Sequence, residues 1–178
     1  MAKPGKDVFA PAPHPEGPSA VYIRILCAVF WGDRVLMIFQ ADEAGAGWWN
    51  FLGGKVDRDE DPLDAAQREL FEEAGLRATL EFRGVATAIV RETGEHWSMF
   101  LFAARADRPD VVPSPEGPLR WVAPDELGTL PVFPDVPYLL PHMRDPAQGI
   151  VLIKYTFARR DANTLETSSF RVSVYGRG

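Results

Sequence analysis

One cysteine in 178 residues, three scattered histidines and no apolar run long enough to span a bilayer exclude several classes of protein at once. A lone cysteine cannot build a disulfide framework, and Cys27 lies in the apolar run ILCAVFW, where a small buried hydrophobe is expected. His14, His96 and His142 are far apart, so zinc-finger and metalloprotease spacings are missing, and His96 reads as a solvated turn residue. Positive charge is also scarce. Against 25 Asp and Glu stand 19 Lys and Arg, a net charge of −6, the wrong sign for a nucleic-acid polymer or an anionic membrane surface. With no apolar signal core at the amino terminus, a cytoplasmic location is expected.

What is present suits a small globular domain: 46% hydrophobic and 25% charged residues can bury a core without covalent staples. Residues 1–18 hold five prolines and little to pack, so they read as an extended or disordered lead-in to a single domain over 19–178. Two apolar strands between Val21 and Gln40 flank the turn Trp31, Gly32, Asp33. The small-residue loop ADEAGAG then leads to a strand at Trp48–Leu52. Further strands are expected at Ala78–Val90, Trp97–Ala104, Leu119–Val122, Ile150–Phe157 and Phe170–Tyr175, with a brief helix from Pro124 and another over residues 134–143. No repeat or coiled-coil pattern appears, and the sequence carries no mark of an oligomeric state. Helices on a mixed sheet, an α/β/α sandwich, is the predicted architecture.

The strongest local signal is a helix over residues 62–74. Asp61 is a good N-cap, Pro62 suits the first helical position and Gly75 stands where a helix should stop. Leu63, Ala66, Leu70 and Ala74 form an apolar stripe, while Glu69, Glu72 and Glu73 cluster on the neighbouring face. No lysine is interleaved to relieve the repulsion of three carboxylates within one turn, whereas hard divalent cations such as Mg²⁺ or Mn²⁺ would relieve it. Gly53 and Gly54, at the exit of the preceding strand, suit a loop that brings bare backbone up to a metal or phosphate.

Within GKVDRDEDPLDAAQRELFEEAGL, nine specified positions (Gly54, Glu60, Arg68, Glu69, Leu70, Glu72, Glu73, Gly75 and Leu76) match the complete box of the Nudix hydrolases. At ordinary residue frequencies a chance match is on the order of 10⁻¹⁰ per starting point. The resemblance implies the Nudix fold and a divalent-metal-dependent hydrolase that cuts a phosphoanhydride in a nucleoside diphosphate derivative. It implies a metal-ligating carbonyl at Gly53 or Gly54, metal-binding or catalytic roles for Glu69, Glu72 and Glu73, and carboxylate orientation by Arg68, with Glu60 tying loop to helix. Glu69 is the first choice of general base, and Lys55 is placed to meet a phosphate.

Three further segments resemble the MutT-type enzymes that act on oxidised purine nucleoside triphosphates. In GAGWWNFLGGKV, Asn50 matches an asparagine that hydrogen-bonds the base, and an amide presents both donor and acceptor to a purine edge. In VFPDVPYLLP, Phe133 would stack on the base and Asp135 would contact its edge, with Phe133 in place of tryptophan and Val136 in place of a second aspartate. In SPEGPLRWV, Glu116 would add a fourth carboxylate to the metal site, with Glu92 and Glu95 as rivals. The resulting expectation is a Mg²⁺- or Mn²⁺-dependent pyrophosphohydrolase that converts a purine nucleoside triphosphate, 8-oxo-dGTP foremost, to the monophosphate and pyrophosphate. Hydrolysis of a dinucleoside polyphosphate or ADP-ribose is the alternative within enzymes. A non-catalytic nucleotide-binding module is the alternative outside them.

Overall fold

The computed structural model describes residues 21–40, 47–145, 147, 149–161 and 164–175. The lead-in expected over residues 1–18 and most of the ADEAGAG loop lie outside them. Eight strands share one sheet: β1 (Val21–Trp31), β2 (Arg34–Gln40), β3 (Trp48–Asn50), β4 (Glu81–Val90), β5 (His96–Arg105), β6 (Leu119–Val122), β7 (Ile150–Asp161) and β8 (Thr164–Tyr175). Among the described residues two α-helices, α1 (Pro62–Ala74) and α2 (Val136–Arg144), complete the fold, and the brief helix expected from Pro124 is a single 3-10 turn at Leu127–Thr129. β1 pairs with β5, and β4 with β7, in parallel, while the other pairs are antiparallel; the sheet is mixed.

Strand alternation explains the layers. Along β1, Ile25, Cys27 and Val29 join Ala65, Ala66, Leu70 and Ala74 of α1 in one cluster. Leu26, Ala28 and Phe30 join Val136, Leu139, Leu140 and Met143 of α2 in the other. Successive side chains of a strand point to opposite faces, so a single apolar run feeds two cores and the architecture is an α/β/α sandwich.

The site is positioned by a gap in this sheet. β1 and β2 pair only beside their turn, at Phe30↔Val35 and Trp31↔Arg34, and then separate. The chain from Trp48 to Val56 fills the opening. Asn50 and Trp48 pair with Ile38 and Gln40 of β2, after which Cys27 N donates to Leu52 O and Ile25 N to Gly54 O on the β1 side. The expected strand Trp48–Leu52 is therefore a crossing that changes partner after Asn50. On the other edge of β2, β6 pairs Val122 with Val35 and Leu119 with Ile38.

Local signals hold at α1. Asp61 accepts from Leu63 N at 2.8 Å and Asp64 N at 3.0 Å, and Gly75, at φ 65°, ends the helix. Two expectations for its faces fail. Leu63 is 43% exposed rather than packed, because the buried side of the first turn is taken by Ala65 and Ala66. Glu69 and Glu73 face inward, 7% and 1% exposed, because the glycine loop covers them. The fourth strand begins at Glu81 rather than Ala78, and both arms of the carboxy-terminal hairpin run longer than their apolar cores suggest.

Candidate active site

Two buried carboxylates are clasped by bare backbone. Gly53 N donates to Glu73 Oε2 at 2.9 Å. Gly54 lies so close to Glu69 that an added Cβ would fall 2.0 Å from Oε1, and at Gly53, where φ is 150°, it would meet Ile25 O at 2.2 Å. Gly53 is required by its conformation and by the backbone it would strike, whereas a side chain at Gly54 would push the Glu69 carboxylate from its place. The loop and α1 thus form one unit around Glu69 and Glu73.

Arg68 supplies the cement. Its guanidinium grips Glu60 bidentately (2.9 and 2.8 Å), donates to Glu69 Oε1 at 2.8 Å and Glu72 Oε2 at 3.1 Å, and reaches the Lys55 carbonyl at 3.1 Å. A planar fork with five N–H donors can make all these bonds at once, which a lysine cannot. Arg68 pairs with Glu60, the partner the sequence suggested for it. The expectation that only cations would relieve the acidic cluster needs correcting, because Arg68 already neutralises part of it. Hydrogen bonds from Arg68 hold Glu60 below the usual carboxylate range. Burial pushes Glu69 upward, Arg68 opposes the shift, and the charges of Glu116 and Glu72 add to it.

That coupling places Glu116, the fourth carboxylate proposed from the sequence, within electrostatic reach of Glu69. The turn carrying it is pressed onto β2: a Cβ on Gly117 would sit 2.0 Å from Phe39 O, and Phe39 N donates to Pro118 O at 2.9 Å. Glu72 differs from its neighbours, with a side chain 54% exposed at the mouth of the cluster. Among the described residues no three His, Cys, Asp or Glu side chains already form a ring around a cation-sized space. The donor set nevertheless fits a hard divalent ion in kind: oxygen ligands alone, one carboxylate desolvated and crowded by like charges, and bare backbone alongside. Cys27, near Glu73 and Glu69, is inert, since burial pushes its thiol far above the usual range.

A second cleft adjoins the loop, lined by Gly53, Gly54, Asn50, Trp97, Phe133 and Asp135 among others. The structure therefore brings the three expected base contacts together. Phe133 is 5% exposed and packs edge-on against Phe157, rings 5.6 Å apart, so it forms a core wall with little open face. Asp135, 3% exposed, accepts from Tyr155 Oη at 2.5 Å, and burial pushes its carboxyl up to about 6. Tyr155 was missed by the sequence reading, since within YTF it looks like any apolar strand residue. Lys55, the residue after the two glycines, is exposed. Glu92 and Glu95 lie in the turn joining β4 to β5, and His96 begins β5.

A glycine loop clasped to an acidic helix by one arginine, on a mixed sheet between two helices, is the Nudix arrangement. The NUDIX domain model matches residues 22–160, and the chain belongs to the Nudix family; it is a MutT-like Nudix hydrolase. It is 31% identical over 137 residues to the uncharacterized Nudix hydrolase YvcI of Bacillus subtilis, covering 74% of this chain and 84% of that one. It is 32% identical to the oxidized purine nucleoside triphosphate hydrolase of Mus musculus (69% of this chain, 78% of that one) and equally to the CTP pyrophosphohydrolase of Escherichia coli (66% and 88%). Of a longer Mycobacterium tuberculosis relative it spans about half, 53%. Among solved structures, the MutT protein of Bacillus halodurans superposes with a TM-score of 0.70 at 25% identity, over 85% of this chain and 97% of that one. Nudix hydrolases use divalent cations and bind small nucleotides. No helix among the described residues is long and apolar enough to cross a membrane.

Proposed function

We propose that this protein is a cytoplasmic nucleoside triphosphate pyrophosphohydrolase, one domain over residues 19–178, that converts a purine nucleoside triphosphate such as 8-oxo-dGTP to the monophosphate and pyrophosphate. The observation that carries the reading is the pair of buried carboxylates, Glu69 and Glu73, held against Gly54 and Gly53. Burying acids beside bare backbone makes sense where a cation and a polyphosphate complete the site. Glu69, Glu72, Glu73 and Glu116 would hold Mg²⁺ or Mn²⁺. The Gly53 carbonyl would join them, because Gly54 O already accepts from Ile25 N at 2.9 Å. A bound cation would neutralise the polyphosphate and acidify the attacking water.

Glu69, made more basic by burial, is suited to take that water's proton. Arg68 keeps Glu69 and Glu72 oriented, and Lys55 meets a phosphate. Asn50 and Asp135 receive the base, with Phe133 as the apolar wall beside it. The purine assignment rests on this cleft and on the likeness to the Mus musculus enzyme; equal identity to a CTP pyrophosphohydrolase makes a pyrimidine triphosphate the reading to test against it.

A panel of dGTP, 8-oxo-dGTP, dATP, CTP, ADP-ribose and a dinucleoside polyphosphate, incubated with Mg²⁺ or Mn²⁺ and resolved by chromatography, tests the proposal. Monophosphate and pyrophosphate from purine triphosphates are expected. Preferential turnover of CTP, ADP-ribose or the dinucleotide would replace the substrate, and no turnover at all would leave a binding module.

A further inference from the structure

The cleft beside the glycine loop contains two buried acceptors that nothing satisfies. Asp135 Oδ1 and Gln40 Oε1 have no hydrogen-bond partner, and both side chains line the same space. Asp135 stands at the N-cap of α2 yet makes no capping bond, and its other oxygen is held by Tyr155. Gln40 closes β2 opposite Trp48, two positions beyond the Ile38↔Asn50 pair. A buried oxygen without a donor is destabilising, and a ligand that brings N–H groups removes that cost.

Asn50 presents the opposite polarity. Its side-chain carbonyl accepts from Phe51 N at 2.8 Å, so the amide N–H₂ is the end it offers. Besides the Arg24 guanidinium over Trp97, the wall of the cleft therefore offers two acceptors, from Asp135 and Gln40, and one amide donor, from Asn50.

We infer that Gln40 is a specificity-determining residue, its carbonyl acting with Asp135 as a second acceptor for the adjacent N–H groups of a guanine-type base while Asn50 donates to the base carbonyl. The inference rests on the nucleotide-hydrolase reading above and names the base. Guanine alone among the common bases carries two neighbouring N–H groups beside a carbonyl on its pairing edge. Adenine and cytosine place a ring acceptor next to the amino group, and uracil places one N–H between two carbonyls, so each would set a lone pair against one of the two acceptors. The free space is about 40 Å³, enough for a water or so, and a base is received there only on condition that the wall moves apart.

Gln40→Met keeps the side chain's length and removes the acceptor. The expected result is a rise of about tenfold in KM for dGTP, the size of one hydrogen bond to a buried group, with kcat nearly constant and dATP little changed. Equal shifts for dGTP and dATP, no shift, or a larger loss for dATP would overturn the assignment. Gln40→Glu retains an acceptor, so it should keep the dGTP preference whether or not the methionine variant folds; loss of preference there also counts against the assignment. Binding of dGMP without metal, followed by tryptophan fluorescence, separates this inference from the proposed activity. Gln40-dependent binding in a protein that hydrolyses nothing would end the hydrolase reading alone, whereas hydrolysis with a base preference indifferent to Gln40 would end this inference alone.

Discussion

Both helices begin on an aspartate with a proline one or two residues later, and the two aspartates do opposite things. Asp61 turns its carboxylate onto the first N–H groups of α1, as a cap does. Asp135 holds the same place at α2, makes no capping bond, and turns into the protein toward Tyr155. In the half of the molecule built around the carboxylate helix, the local signal serves folding. In the half facing the second cleft it is given up, leaving a desolvated acid with one oxygen unpartnered. A helix-start motif read from sequence therefore says where a helix begins but not whether its cap is used for stability or withheld for a ligand.

The comparison breaks most sharply at Glu73. Glu73→Gln should lower kcat on the order of a hundredfold or more for every nucleotide, as expected on removing a metal ligand. An unchanged rate would strip the α1 half of its catalytic role. Next comes the pH dependence of Asp135. Its carboxyl is raised from 3.8 to about 6, so the fold favours the protonated form. That contribution is full below about pH 4 and lost as the pH rises through about 6, up to about 3 kcal/mol in all. Urea melts of wild type and Asp135→Asn between pH 4 and 7 should diverge as pH rises, with the variant gaining; parallel curves would mean that Asp135 ionises at no cost.

Tyr155→Phe should raise KM for purine nucleotides by severalfold with little change in kcat, about the effect of one hydrogen bond. Equal losses in both constants would assign Tyr155 to packing instead of to holding Asp135. The smallest effect is expected at Asp61, where Asp61→Ala should cost about 1 kcal/mol in thermal or urea melts and leave KM untouched. A change in base preference there would erase the contrast between the two aspartates.

The same division explains what was legible in the sequence. The bounds of α1, the Arg68–Glu60 pair and the glycine loop were readable because caps, spacings and the Nudix box are local. The burial of Glu69 and Glu73 was not, because what covers them is a loop 15 to 20 residues upstream in the chain. Helical periodicity put Leu63 on the packed side, since it cannot see that Ala65 and Ala66 occupy that turn of the core. Parallel pairings such as β1 with β5 join segments distant in sequence and leave no short-range trace. Tyr155 and Gln40 looked like unremarkable strand residues. Their importance comes only from the register that sets β7 behind Asp135 and the end of β2 beside β3.

Arg68 carries a consequence for how this molecule treats metals. Because one side chain already bridges Lys55, Glu60, Glu69 and Glu72, loop and helix are stitched together with or without an ion. A chelator would then behave as a reversible off-switch rather than a denaturant, and the idle protein would wait in a shape ready to be recharged.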